Sequence, residues 1–175
     1  MFEMGFKMAT YFSPDDDTQS VFLNFIRGTN KHLRIAVYSL HLPSLIDELI
    51  ELHKRGVDVA LVIDHTQAHG KAEHPDVLQL ISAGIPLVEG TSQKHRIMHH
   101  KFAVRDKTTV LSGSWNFSES ASLENNYFDI VESSERAALF LSKWKEMWDW
   151  IRTNEPEYQE MAVARAPVNL RTTSS

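Results

Sequence analysis

The chain has 175 residues, no cysteine and a formal net charge of −5 with histidine counted as neutral. This length fits one domain, and the absence of cysteine excludes disulfide frameworks, thiolate zinc sites and cysteine nucleophiles. Taken alone, the negative charge argues against a protein whose whole surface is built to bind nucleic acid.

Strand and helix patterns alternate along the chain. Apolar runs predict strands at 9–12, 33–40, 57–63, 85–88, 102–104, 109–111 and 128–131. Helical spacing of apolar residues predicts helices between Pro14 and Gly28, between Pro43 and Gly56, between Pro75 and Gly84, and over 133–151 with Ser134 as the N-cap. Alternation of this kind predicts an α/β domain in which helices cover a sheet.

The two ends of the chain carry weaker patterns. We expect one folded domain over residues 1–153 and a poorly ordered tail over 154–175, because periodicity is lost near Asn154. No stretch approaches the roughly 20 apolar residues needed to cross a bilayer, and the first residues lack a signal-peptide pattern. We therefore expect a cytoplasmic protein, with a signal peptide removed beforehand as the alternative.

The segment His95–Asn116 holds the residues that point to chemistry. Its pattern is H-x-K, four residues, D, six residues, G-S-x-N, formed by His99, Lys101, Asp106, Gly113, Ser114 and Asn116. Residues two apart on a strand share a face, so the His99 imidazole and the Lys101 ammonium are expected side by side. An imidazole can attack phosphorus while an ammonium, a hydroxyl and an amide bind the phosphate oxygens. No residue of the pattern requires a metal ion.

The pattern resembles the HKD motif of the phospholipase D superfamily, and most closely its single-motif nucleases, the bacterial phospholipase D-like endonucleases and the Zucchini type. The resemblance implies one mixed β-sheet flanked by helices on both faces. It also implies a metal-independent endonuclease without a cofactor that hydrolyses DNA or RNA through a phosphohistidine on His99. A homodimer would bring two copies of His99 into one site.

The resemblance also assigns the remaining residues of the motif. Lys101, Ser114 and Asn116 would be catalytic and bind phosphate, and Gly113 would let the backbone approach the ligand. Asp106, the third letter of the motif, would have a structural or charge-orienting role. The alternatives are a phospholipase D or phosphatidyl transferase acting on lipid head groups, and a weakly catalytic module that binds nucleic acid.

One position departs from the pattern of these nucleases. They usually carry a glutamate that orients the nucleophilic histidine, and Tyr127 stands at the equivalent place here. Glu124 and Asp129 are the candidates to replace it. The identity of the group that orients His99 is therefore open at this stage.

Charge is distributed unevenly along the chain. Residues 94–107 contain five basic residues and one acidic residue, a local charge of +4, and the rest of the chain carries −9. Lys94 and Arg96 precede the motif and are expected either to contact a phosphate backbone or to form a solvated turn. His65, His69 and His74 lie in a segment that reads as a loop, so no metal site is predicted there.

Overall fold

The computed structural model describes residues 6–159. Its strands are β1 (Lys7–Ser13), β2 (His32–Val37), β3 (Leu40–His41), β4 (Asp58–Asp64), β5 (Leu87–Gly90), β6 (Lys101–Arg105), β7 (Thr109–Gly113), β8 (Phe117–Ser118) and β9 (Asn126–Glu132). Its α-helices are α1 (Thr18–Arg27), α2 (Pro43–Lys54), α3 (His65–Ala68), α4 (His74–Ser82) and α5 (Ser134–Asn154). Two 3-10 turns cover Ser120–Leu123 and Pro156–Gln159.

Seven strands form one mixed sheet in the order β1-β9-β7-β6-β2-β4-β5. The strands β2, β4 and β5 run parallel, and β6, β7, β9 and β1 add to them in antiparallel pairs. A separate pair, β3 and β8, is only two residues long on each side. The predicted mixed sheet is confirmed.

Each face of the sheet carries its own apolar core. Leu33, Ile35 and Val37 of β2 point to the core beneath α1, α2 and α4, while Ala36 points to the core beneath α5. The alternation follows from the period of two along a strand whose faces are both covered. The prediction of helices on both faces is therefore confirmed as well.

The last helix differs from its predicted form at both ends. Its N-cap is Ser133, whose hydroxyl accepts from the Arg136 backbone N–H at 3.2 Å, so the prediction of Ser134 was wrong by one residue. Beyond the helix, Glu155 and Gln159 are buried. The Gln159 side-chain amide bonds both backbone groups of Glu89 in β5. Ordered structure thus continues past the predicted boundary at 153, and residues 160–175 of the predicted tail lie outside the described residues.

Candidate active site

The strand directions bring the motif together at one edge of the sheet. The parallel strands β2 and β4 end there, the antiparallel β6 begins there, and β7 ends where β9 begins. Phe102 pairs with Ser112 and Gly113 pairs with Phe128, so the start of β6 lies beside the G-S-x-N segment. Residues at the carboxyl ends of parallel strands form the usual ligand crevice of an open sheet.

His99 is exposed in the short segment just before β6. Its ring meets the Tyr38 ring edge-on, with 4.6 Å between the centroids. Desolvation and the nearby Lys101 ammonium lower the pKa of His99 below its usual value, and Asp64 acts in the opposite direction. The lowered pKa favours the neutral imidazole, which is the form that can attack phosphorus.

Lys101 is a buried cation, with only 8% of its surface exposed. Its ammonium donates to the His99 carbonyl oxygen at 2.9 Å and lies 5.1 Å from the centre of the Tyr38 ring. No carboxylate lies within ion-pair distance of Lys101 among residues 6–159. Burial lowers its pKa. A buried charge without a counterion is costly, and an anionic ligand would remove that cost.

A polar cleft of about 290 Å³ opens beside these two residues. Its lining comprises His99, His100, Lys101, Phe102, Ser112, Gly113, Tyr127, Asp129, Arg136 and Phe140. Arg136 reaches it from the first turn of α5, where it donates to Ser112 Oγ at 3.4 Å and lies over the Phe140 ring. Its Nε is buried without a partner in the described part of the chain. The cleft therefore holds a second cation that the motif did not reveal.

The G-S-x-N segment is fixed by its neighbours in the fold. A Cβ on Gly113 would lie 2.2 Å from the Tyr127 carbonyl oxygen and 2.7 Å from Phe128 Cα. Glycine is required here by close approach to β9, whereas the sequence suggested close approach to a ligand. Ser114 donates to Asn126 Oδ1 at 3.0 Å and accepts from the Tyr127 N–H at 3.2 Å.

Asn116 is separated from Ser114 by the buried Trp115, which anchors this segment in the core beside Phe22 and Phe128. The Oδ1 of Asn116 is buried and accepts no hydrogen bond from any residue within 6–159. Neither Ser114 nor Asn116 is among the residues that line the cleft, and their membership of the site stays a prediction.

Asp106 lies at the opposite end of β6, five residues beyond Lys101 and thus about 17 Å away along the strand. Its carboxylate accepts backbone N–H groups of Asn30, Lys31 and His32, with the shortest contact 2.8 Å. These bonds outweigh desolvation and lower the pKa of Asp106. The structure therefore does not bring Asp106 to the cleft, and in place of a catalytic contact it joins the start of β2 to the end of β6, which agrees with the structural role expected for it.

Neither candidate for orienting His99 contacts its ring within this chain. Glu124 accepts from the Asn126 amide, and Asp129 accepts from Thr10 Oγ1 at 2.6 Å. A different carboxylate supports the segment that carries His99. Asp64 at the end of β4 accepts a hydrogen bond from the Met98 backbone N–H at 2.8 Å. Asp64 is 1% exposed and holds the segment that carries His99. Sequence reasoning missed it because its partner is 34 residues away.

The two basic residues before the motif lie outside the cleft. Lys94 and Arg96 are exposed on a tight turn whose ends are joined by the Ser92 N–H and the Arg96 carbonyl oxygen at 2.7 Å. His95 at the tip of this turn adopts a left-handed conformation with φ of 53°. The turn presents both cations to solvent, and a role in binding a polyanion stays a prediction.

The predicted loop around His65 is partly helical. The helix α3 is capped by Asp64, which accepts from the Gln67 N–H at 3.1 Å, and it places His65 and His69 on one side. Glu89 from β5 lies close to both histidines, so the interpretation of this segment as a loop, from which no metal site was predicted, was incomplete.

Comparison with known proteins identifies the fold family. A family model described as "Cardiolipin synthase, PLD-like domain" matches residues 22–148. The "Mitochondrial cardiolipin hydrolase" of Chlamydomonas reinhardtii is 30% identical over 134 residues, which cover 76% of this chain and 58% of that protein. The "Phospholipase D" of Rickettsia bellii is 27% identical over 141 residues, 79% of this chain and 67% of that protein. The chain spans 58–62% of the length of the first cardiolipin hydrolases it matches.

Solved structures agree with this assignment. Nuc from Salmonella typhimurium, a phospholipase D family member, superposes with a TM-score of 0.77 at 27% identity, covering 83% of this chain and 95% of that one. NucT from Helicobacter pylori superposes with a TM-score of 0.72 at 19% identity and covers 83% and 97%, which supports the fold. Among the described residues, no helix is both long and apolar enough to cross a membrane.

Proposed function

Because the chain belongs to the phospholipase D-like family, a superfamily of phosphodiesterases, we propose that it is a nuclease that cleaves DNA or RNA through a phosphohistidine intermediate. The observation that carries this proposal is the buried, unpaired Lys101 ammonium beside a His99 whose pKa is lowered. Together they offer a nucleophile and a fixed positive charge at one phosphate-sized position.

The proposed reaction proceeds in two displacements. A neutral ring nitrogen of His99 attacks phosphorus, the bond from phosphorus to the leaving oxygen breaks, and the second His99 of a homodimer gives that oxygen its proton. Water then attacks the phosphohistidine, the same second histidine takes the proton from water, and the His99–phosphorus bond breaks. Lys101 and Arg136 neutralise the nonbridging oxygens in both steps, so the residues themselves supply the charge that a metal ion would otherwise supply.

A nucleic-acid substrate is favoured by the surroundings of the cleft. The cleft is polar and is lined by the two cations Lys101 and Arg136, and Lys94 and Arg96 lie on an exposed turn outside it, so basic side chains form a patch that extends beyond the cleft. A polyanion with repeating phosphates gains from such a patch at several positions, whereas one head group gains at only one. Lys94 and Arg96 are proposed to contact phosphates on either side of the scissile bond.

Lipid hydrolysis is the second candidate, and two observations favour it. Tyr127 lines the cleft with 43% of its surface exposed, and it packs against Phe12, which is 54% exposed, so an apolar rim borders the site. Relatives named mitochondrial cardiolipin hydrolase point in the same direction. A phospholipid with its head group in the cleft would place acyl chains against this rim.

The experiment that decides is a substrate comparison in EDTA. We expect plasmid or single-stranded nucleic acid to be cleaved by the wild type and left intact by His99→Ala, with vesicles containing cardiolipin unchanged. His53→Ala on α2, a partly exposed histidine outside the cleft, is the matched control and keeps full activity. If the wild type, but not His99→Ala, releases phosphatidic acid from the vesicles and leaves nucleic acid intact, the nuclease proposal is refuted and lipid hydrolysis is supported.

A further inference from the structure

A cluster of metal-ligating side chains lies outside the proposed cleft. His65 Nδ1 is 3.7 Å and His69 Nε2 is 2.6 Å from Glu89 Oε2. All three ligand atoms lie within 4.8 Å of one another. His65 and His69 share one side of α3 because they are four residues apart, and Glu89 faces them from β5. None of the three lines the cleft that holds His99.

Two features of this cluster indicate that it binds a ligand. Glu89 is 3% exposed, and no lysine or arginine in residues 6–159 pairs with its carboxylate. The Glu89 Oε2 and the His65 Nδ1 are both buried, and neither makes a hydrogen bond of acceptable geometry within residues 6–159, although His69 Nε2 lies 2.6 Å from that oxygen. Polar atoms in this state are costly, and a cation between them would satisfy both.

We propose that His65, His69 and Glu89 form a binding site for a divalent transition metal ion of the zinc class. Two imidazoles and one carboxylate are a donor set that Zn²⁺ accepts, with metal–ligand bonds of about 2.0–2.2 Å. Tetrahedral geometry then requires ligand atoms about 3.3 Å apart. The distances of 3.7 Å and 2.6 Å to Glu89 bracket that value, and no two of the three ligand atoms are more than 4.8 Å apart, so a small rearrangement of the side chains would bring the ligands into place.

The surroundings give such an ion a structural role. Tyr158 stacks flat on the His65 ring with 3.6 Å between centroids, and Gln159 bonds the Glu89 backbone. The ion would therefore join α3, β5 and the last described turn. Asp64, next to His65, is the residue that holds Met98 beside His99, so the ion would also stiffen the support of that segment. The ion is not a reactant, and the proposal does not depend on the substrate of the cleft.

The test is a titration of the full chain, freed of metal with EDTA and then dialysed. Calorimetry with ZnCl₂ is expected to show one ion per chain, and Co²⁺ is expected to give the visible absorption of a tetrahedral complex. His69→Gln changes an exposed ligand and Glu89→Gln a buried one, and each should weaken zinc binding by about 100-fold or more. His53→Ala, the control for adventitious surface binding, should leave the affinity unchanged.

Thermal unfolding supplies a second readout that does not use activity. Zinc at about one hundred times its dissociation constant should raise the Tm of the wild type by about 5–10 °C and leave that of His69→Gln unchanged. The proposal is refuted if neither ion binds saturably at one per chain, or if His69→Gln binds zinc as tightly as the wild type. Should Glu89→Gln fail to fold, His69→Gln decides alone, since its side chain is partly exposed.

Discussion

Replacement of Asp106 separates support of the fold from catalysis. The Asp106 carboxylate accepts three backbone N–H groups, and a hydrogen bond to a charged acceptor contributes about 1.5–3 kcal/mol when its donor is shielded from water. Asn30 and Lys31 are exposed, so water replaces the carboxylate there, and only the bond from His32 is partly buried. We therefore expect Asp106→Ala to lower the free energy of unfolding by about 2–3 kcal/mol.

The conservative variant Asp106→Asn measures how much the negative charge of Asp106 contributes to the free energy of unfolding. Asp106 has a φ of 51°, a left-handed conformation that asparagine adopts more readily than alanine. Asp106→Asn keeps one acceptor oxygen and this conformation, so a loss of about 1 kcal/mol is expected. The native carboxyl has a lowered pKa, so its charge stabilises the fold above the unfolded pKa of about 3.9. The free energy of unfolding of the wild type should therefore approach that of Asp106→Asn as the pH falls through the native pKa of Asp106.

The assay is urea unfolding at several pH values, together with steady-state cleavage of a fluorescent oligonucleotide well below the Tm. Asp47→Ala on the exposed side of α2 is the control and should change stability by less than about 0.5 kcal/mol. The specific activity of folded Asp106→Ala should match that of the wild type. A loss of kcat in fully folded protein, or an unfolding free energy equal to that of wild type, would refute the assignment.

Four further outcomes test the site and its packing. Gly113→Ala should cost at least about 2 kcal/mol of unfolding free energy in urea, because its Cβ meets the β9 backbone, and an unchanged midpoint would contradict the packing. The acid limb of kcat/KM against pH should have its midpoint below about 6.5, since the neutral His99 attacks and its pKa is lowered; a midpoint above that value would exclude the role. Mixing and re-equilibrating wild type with three parts His99→Ala should reduce activity to about one quarter if two copies share a site, and leave it constant if each chain acts alone. Arg136→Gln should lower kcat/KM by about 100-fold with an unchanged Tm. A kcat/KM equal to that of the wild type would refute the proposed contact between Arg136 and the phosphate.

The motif and the main elements could be predicted because their signals are local. The apolar runs of β2 and β4 and the helical spacing in α1, α2 and α4 each lie within a dozen residues. The two-residue spacing from His99 to Lys101 likewise predicted their proximity, although His99 lies just before β6 and not on it. The short pair β3 and β8 carries no such signal, since two residues are too few to show a period.

The residues that sequence reasoning missed depend on contacts between distant parts of the chain. Arg136 enters the cleft because α5 packs across β6 and β7, and Asp64 reaches Met98 because β4 ends at the same sheet edge. His65 and His69 suggested a site by spacing alone, yet their third partner, Glu89, is 20 residues away on another strand. The helix α3 is also too short to show a periodic pattern. Asp106 was placed with the motif by its sequence neighbours, although the length of β6 carries it to the far end of the sheet.

The side-chain amide of Gln159 affects whether molecules of this protein can associate through the edge strand β5. It donates to the Glu89 carbonyl oxygen at 2.5 Å while its own oxygen accepts from the Glu89 N–H at 3.1 Å, the two bonds that a neighbouring strand would make. One side chain thus blocks the outer edge of β5 against self-association. A chain shortened at residue 153 would uncover that edge, and edge-to-edge aggregation would follow even though every residue of the cleft is still present.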